Sequence, residues 1–99
     1  MKKNFKLTIQ YDGTRYKGWQ RLGKGENTIQ GKIENVLTEM AGYPIEIIGS
    51  SRTDAGVHAL GQVANVKLNL DITVHELKSY LNRYLPEDIS VTKVEMVHE

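Results

Sequence analysis

The chain has 99 residues, with 13 Lys and Arg against 12 Asp and Glu, and no cysteine. That is one domain's length, and the lack of thiols excludes disulfides and thiolate metal ligands and accords with a reducing cytoplasm. No stretch is apolar enough for a membrane span, and Lys6, Gln10 and Asp12 interrupt any signal-peptide core. The near-neutral balance conceals an asymmetry. Residues 1–24 carry seven cations against Asp12 alone, whereas residues 25–99 carry six against eleven acids. A basic first quarter on an acidic body points to an anionic partner at one end of the fold, solvated surface charge being the plainer reading.

Phe5, Leu7, Ile9 and Tyr11 alternate with Lys6, Thr8 and Gln10, the period of a half-buried strand. Residues 12–27 hold four glycines and no apolar period, so they read as a long loop of the kind that often carries function. Ile29, Ile33, Val36, Leu37 and Met40 then form one helical stripe. Asn27 is the expected cap, with Gln30 reaching back, and Gly42 and Pro44 end the helix. Ile45, Ile47 and Ile48 predict a second strand, and residues 63–68 a third. Thr73 with Glu76 makes a capping box for a second helix, whose stripe is Leu77, Tyr80, Leu81 and Tyr84 and which Pro86 ends. A last strand covers 89–97, where the alternation changes face near Thr92 to Val94, the mark of a bulge or a sheet edge.

The order β-α-β-β-α-β is the split-βαβ, ferredoxin-like pattern: an α+β domain with a four-stranded antiparallel sheet and both helices on one face. In that topology the first and second strands run the same way. The loop after the first strand, the turn after the second, and the connection 82–88 therefore share one end of the sheet. The face bearing Lys6, Thr8 and Gln10 is expected to be the open, polar one, so the loop and the turn should border a cleft.

The turn holds Ser51-Arg52-Thr53-Asp54-Ala55-Gly56-Val57-His58-Ala59. An Asp two residues before Gly is ordinary turn chemistry, its carboxylate capping local N–H groups. Arg52 adds a second reading. Side chains two apart on an extended segment point the same way, so the guanidinium can pair with Asp54 and hold it below the usual value of about 3.9. An oriented, ionised carboxylate can act as nucleophile or base. The loop segment from Arg15 to Lys24 interleaves Arg15, Lys17, Arg21 and Lys24 with Tyr16 and Trp19 and has no acid. Cations meet phosphates and aromatic planes stack on bases. Trp19 could equally be a buried anchor for the loop, which leaves the cations as the better contacts. His58, His75 and His98 have no metal-ligand spacing, and no serine nucleophile elbow is present.

Tyr11-Asp12-Gly13-Thr14, Gly18-Trp19-Gln20, Thr28-Ile29-Gln30, Arg52-Thr53-Asp54-Ala55-Gly56-Val57-His58-Ala59, Gly61-Gln62-Val63 and Leu81-Asn82 through Leu85-Pro86 closely resemble the tRNA pseudouridine synthase A family, in its order and approximate spacing. The resemblance implies that Asp54 is the catalytic aspartate and Arg52 the arginine paired to it. A uridine of the tRNA anticodon stem-loop would be flipped out of its stack and attacked by Asp54, at the sugar or at the base, both routes being open here. The uracil would rotate and return through a carbon–carbon bond, with no metal or organic cofactor. Arg15, Lys17, Trp19, Arg21 and Lys24 would face the RNA. A homodimer is implied for the complete protein.

Two substitutions depart mildly from the family pattern: Ser51 stands where Gly is usual, and Tyr16 replaces a more usual Phe. The family's second, similar half, which completes the cleft and supplies a tyrosine stacking on the target uracil, is absent. Residues 1–99 thus read as the N-terminal, catalytic-aspartate domain, expected to be inactive or nearly so alone. Loss of a stacking platform alone removes about 1–3 kcal/mol per base.

Two rival readings share the topology. A non-catalytic RNA-binding module would place aromatics on its central strands, and none occurs in Gln62-Val63-Ala64-Asn65-Val66-Lys67. A small acylphosphatase-like enzyme would want an arginine in a phosphate-cradling loop after the first strand; Arg15 lies there, in an unlike surrounding pattern.

Overall fold

Strand β1 (Lys3–Tyr11) buries Phe5, Leu7, Ile9 and Tyr11, leaves Lys6 and Thr8 half-buried, and exposes Gln10. The structure, a computed structural model, describes residues 3–16, 18–19, 28–49 and 59–97. The other strands are β2 (Ile48–Gly49), β3 (Ala59–Leu68) and β4 (Ile89–Val97), and the helices are α1 (Ile29–Ala41) and α2 (Val74–Tyr84). The sheet order is β2-β3-β1-β4, with antiparallel pairing throughout. This is the expected ferredoxin-like α+β arrangement. Ile29, Ile33 and Leu37 of α1 and Leu77 and Leu81 of α2 join Phe5, Leu7, Ile9, Ala64, Val66, Leu68 and Val91 in one core, so both helices cover the same sheet face.

The opposite face carries Lys6 and Thr8 against Asn65 and Val63. No aromatic stands there among the described residues. The base-stacking platform that the non-catalytic RNA-binding reading needs is therefore lacking on β1 and β3.

Several local expectations are corrected. The cap of α1 is Thr28, one residue after the expected Asn27, whose own position lies outside the described residues. Thr28 is fully buried in extended conformation and its Oγ1 accepts from Gly31 N at 3.1 Å. The Gln30 amide donates to Glu34 and to the Ile47 carbonyl, both at 3.1 Å, while the expected contact back to Asn27 lies outside the described residues. The second strand is shorter than the apolar run suggests. Ile45 N donates to Thr38 Oγ1 and Ile47 N to Glu34 Oε2, so α1 side chains take main-chain groups that a longer ladder would use. On α2 only Leu77 and Leu81 enter the core, while Tyr84 is 55% exposed. Tyr80 and Tyr84 instead line a groove with Asn35, Val36 and Glu39 of α1.

Other features match. Gly42 closes α1 in the left-handed region (φ 80°), and its N–H donates to the Thr38 carbonyl. The Thr73–Glu76 capping box opens α2. β4 is an edge strand, and its register against β1 jumps from Lys93 to Val91, a bulge at Thr92.

Candidate nucleic-acid interface

The end of β1 is where the chain's first polar constellation forms. Asp12 caps a 3-10 turn at Gly13–Arg15, its Oδ1 accepting from Thr14 N at 3.0 Å and Thr14 Oγ at 2.6 Å. The turn is then tied to the connection before β4. Asp12 N donates to the Asp88 carbonyl at 2.9 Å. Arg15 donates from Nε (2.9 Å) and Nη2 (2.7 Å) to Asp88 Oδ2, and the Tyr16 hydroxyl donates to Oδ1 at 2.6 Å.

The electrostatics follow from these contacts. Burial opposes ionisation of Asp88, but hydrogen bonds from Tyr16 and Arg15 and the guanidinium charge outweigh it, so its carboxyl titrates below the ordinary range. Burial first, and the Asp88 carboxylate second, push the Tyr16 phenol up to about 12. The same carboxylate holds the Arg15 guanidinium more firmly protonated than usual.

Farther along, Gly18 takes φ 98°, the left-handed region where a side chain would be strained. Its carbonyl accepts from Ile29 N, and the Trp19 carbonyl from Gln30 N at 2.9 Å. With Thr28 receiving Gly31 N and Lys32 N, the first-turn donors of α1 are all satisfied by protein. The helix start therefore anchors the loop and is not a ready phosphate site.

Trp19 is 2% exposed, stacked on Tyr11 with ring centroids 6.1 Å apart and packed against Gly49. Of the two roles open to it, the structure gives it the anchoring one. Arg15 keeps 69% of its side-chain exposure while paired, so it faces solvent at this end. Arg52, Asp54, Lys17, Arg21 and Lys24 lie outside the described residues. Their flanks do not. Gly49, the last described residue before the Arg-Thr-Asp run, abuts Trp19, and Ala59, the first after it, pairs with Tyr11. The loop after β1, both flanks of the run and the α2–β4 connection thus share one end of the sheet, as the topology requires.

Asp88 is the residue that sequence reasoning missed. Its signal was an acid in a connection that topology returns to the most basic loop. Tyr16 is also more than a conservative stand-in for Phe, because its hydroxyl is the bond to Asp88 Oδ1.

Residues 7–99 match the profile of the family described as tRNA pseudouridine synthase. The chain belongs to that family. A tRNA pseudouridine synthase A from Bacillus sp. (strain KSM-64) is 78% identical over 94 residues, covering 95% of this chain and 38% of the relative. A tRNA pseudouridine synthase A 2 from Bacillus cereus (strain ATCC 14579) is 67% identical, covering 97% and 39%. One from Thermodesulfovibrio yellowstonii is 53% identical, covering 97% and 37%. The chain thus spans under two fifths of the length of these synthases.

Proposed function

We propose that this chain is the N-terminal, catalytic-aspartate domain of a tRNA pseudouridine synthase that isomerises uridine in the anticodon stem-loop of cytoplasmic tRNA. The observation that carries the reading is the convergence of both flanks of the Arg-Thr-Asp run on the loop after β1, through Trp19–Gly49 and Tyr11–Ala59. The names of relatives as much as 78% identical point the same way.

In this reading Asp54 is the nucleophile and Arg52 holds it anionic. Attack on the flipped nucleoside forms a bond to the Asp54 carboxylate and releases the carbon–nitrogen glycosidic bond. The uracil turns, its C5 bonds to the ribose C1′, the bond to Asp54 breaks to return the free carboxylate, and the C5 proton leaves to solvent while N1 gains one. Product and substrate are isomers, so the balance calls for no oxidant, reductant or group donor. Arg15, Lys17, Arg21 and Lys24 supply phosphate contacts around the cleft. A second, similar domain completes that cleft, and the full-length protein works as a homodimer.

Tritium placed at uridine C5 of tRNA is released only when the carbon–carbon bond forms, so its release reads turnover. In the full-length protein, Asp54→Asn abolishes release and leaves tRNA binding intact; unchanged release removes Asp54 as nucleophile. The 99-residue chain alone releases little or none, and ready turnover by it overturns the need for a second domain.

A further inference from the structure

We propose that Asp88 is a positioning residue that sets the Arg15 guanidinium as a contact for a tRNA phosphate, an inference that rests on the synthase reading above. Three groups of the loop after β1 converge on this one residue. The main chain of Asp12 reaches its carbonyl, Tyr16 its Oδ1, and Arg15 its Oδ2 through two donors. Tyr16 and Arg15 are 72 and 73 positions away in sequence, so the contacts fix the loop against another part of the fold.

The burial is one-sided. The Asp88 side chain is 16% exposed and that of Arg15 is 69% exposed, so the carboxylate sits inward and the guanidinium faces the solvent where RNA would lie. An exposed ion pair alone carries little weight for stability. This one is braced by the buried Tyr16 ring and by the Asp12 main chain. Its effect is on geometry: an arginine already held by two donors loses less side-chain freedom when a phosphate arrives. Against this, a carboxylate beside a phosphate contact weakens attraction for the anion. The two effects have opposite signs in an Asp88→Asn variant, which keeps shape and removes charge.

The test measures tRNA affinity of the full-length protein as a function of salt, with KM and kcat from tritium release. If positioning dominates, Asp88→Asn weakens binding by about 3- to 10-fold, the equivalent of freeing one immobilised side chain. Its salt slope falls toward that of Arg15→Ala, by at most about one phosphate's worth. The loss appears chiefly in KM. Arg15→Lys, which keeps charge but not the paired donors, behaves like Arg15→Ala. Equal or tighter binding by Asp88→Asn, or wild-type binding by Arg15→Lys, overturns the inference. Should Asp88→Asn fail to fold, Arg15→Lys decides alone, since that side chain is exposed. Asp54→Asn separates the two levels. If it still isomerises, the synthase reading fails. If it is inactive while Asp88→Asn and Arg15→Lys bind normally, only the positioning role fails.

Discussion

Trp19 stands against Gly49, and a β-carbon at position 49 would lie 2.7 Å from Cε2 of the indole. This contact joins the loop after β1 to the end of β2. The indole is buried and stacked against Tyr11, so it has little room to retreat. Gly49→Ala is therefore expected to cost about 1–3 kcal/mol, the usual penalty of overpacking. Chemical denaturation should show the loss, and a thermal scan should show the midpoint falling by roughly 4–8 °C per kcal/mol for a domain of this size. In a Trp19→Phe background the same substitution should cost less, because the smaller ring vacates the contested space. An undiminished penalty in that background would falsify steric conflict as the cause.

The Glu34 side chain belongs to a residue only 5% exposed, and it receives two protein donors. Its Oε2 receives Ile47 N at 3.0 Å and the Gln30 amide at 3.1 Å. Glu34→Ala leaves the Ile47 N–H without that acceptor and is expected to cost about 1–3 kcal/mol. Glu34→Gln keeps one oxygen for Ile47 and should recover much of the loss. Equal destabilisation by both would show that the charge, and not the acceptor geometry, holds the segment before β2.

These two sites mark where sequence reasoning stopped. Apolar alternation reported β1 and β4 well, because their faces differ and period two is hard to mistake. It overran at β2, since Ile45 and Ile47 are buried yet give their N–H groups to α1 side chains and not to a strand partner. The polar row Gln30, Glu34 and Thr38, four residues apart on α1, carried that information beside the more conspicuous apolar stripe. The tyrosines of α2 misled for the opposite reason: they share helical spacing with Leu77 and Leu81 but sit on the margin of the stripe. At the candidate site, topology alone brought the right segments together. What it could not give was the side-chain detail, that Asp88 would gather Arg15 and Tyr16, since their pairing spans most of the chain.

The Asp88 cluster makes stability depend on pH at both extremes. Asp88 has a folded-state pKa below its ordinary one. Its contribution is thus present above the ordinary carboxylate range and is lost as pH falls through the folded value. Tyr16 is raised to about 12, so its contribution holds below the ordinary phenol value of about 10 and is lost as pH climbs from there through 12. The stability difference between wild type and Tyr16→Phe should be flat across neutral pH and shrink on the alkaline side. The difference from Asp88→Asn should shrink on the acid side. Denaturation midpoints measured across the pH range check both, and parallel curves throughout would dissociate these groups from the effect.

The outer edge of the sheet offers the last test. Asn82 on α2 donates from Nδ2 to the Val91 carbonyl at 2.8 Å and accepts Val91 N–H at Oδ1 at 2.7 Å. A side-chain amide thus copies a strand's donor–acceptor pair and covers part of edge strand β4 just before its bulge. Asn82→Ala removes both bonds and should cost about 1–3 kcal/mol, at roughly 0.5–1.5 kcal/mol for each. Asn82→Asp should be worse, because it keeps the acceptor for Val91 N–H but turns a carboxylate oxygen toward the Val91 carbonyl. Uncovering the edge should also raise self-association, read as growth in mean mass with concentration by light scattering. If Asn82→Ala loses stability yet stays monodisperse at high concentration, the amide fastens α2 to β4 without guarding the edge.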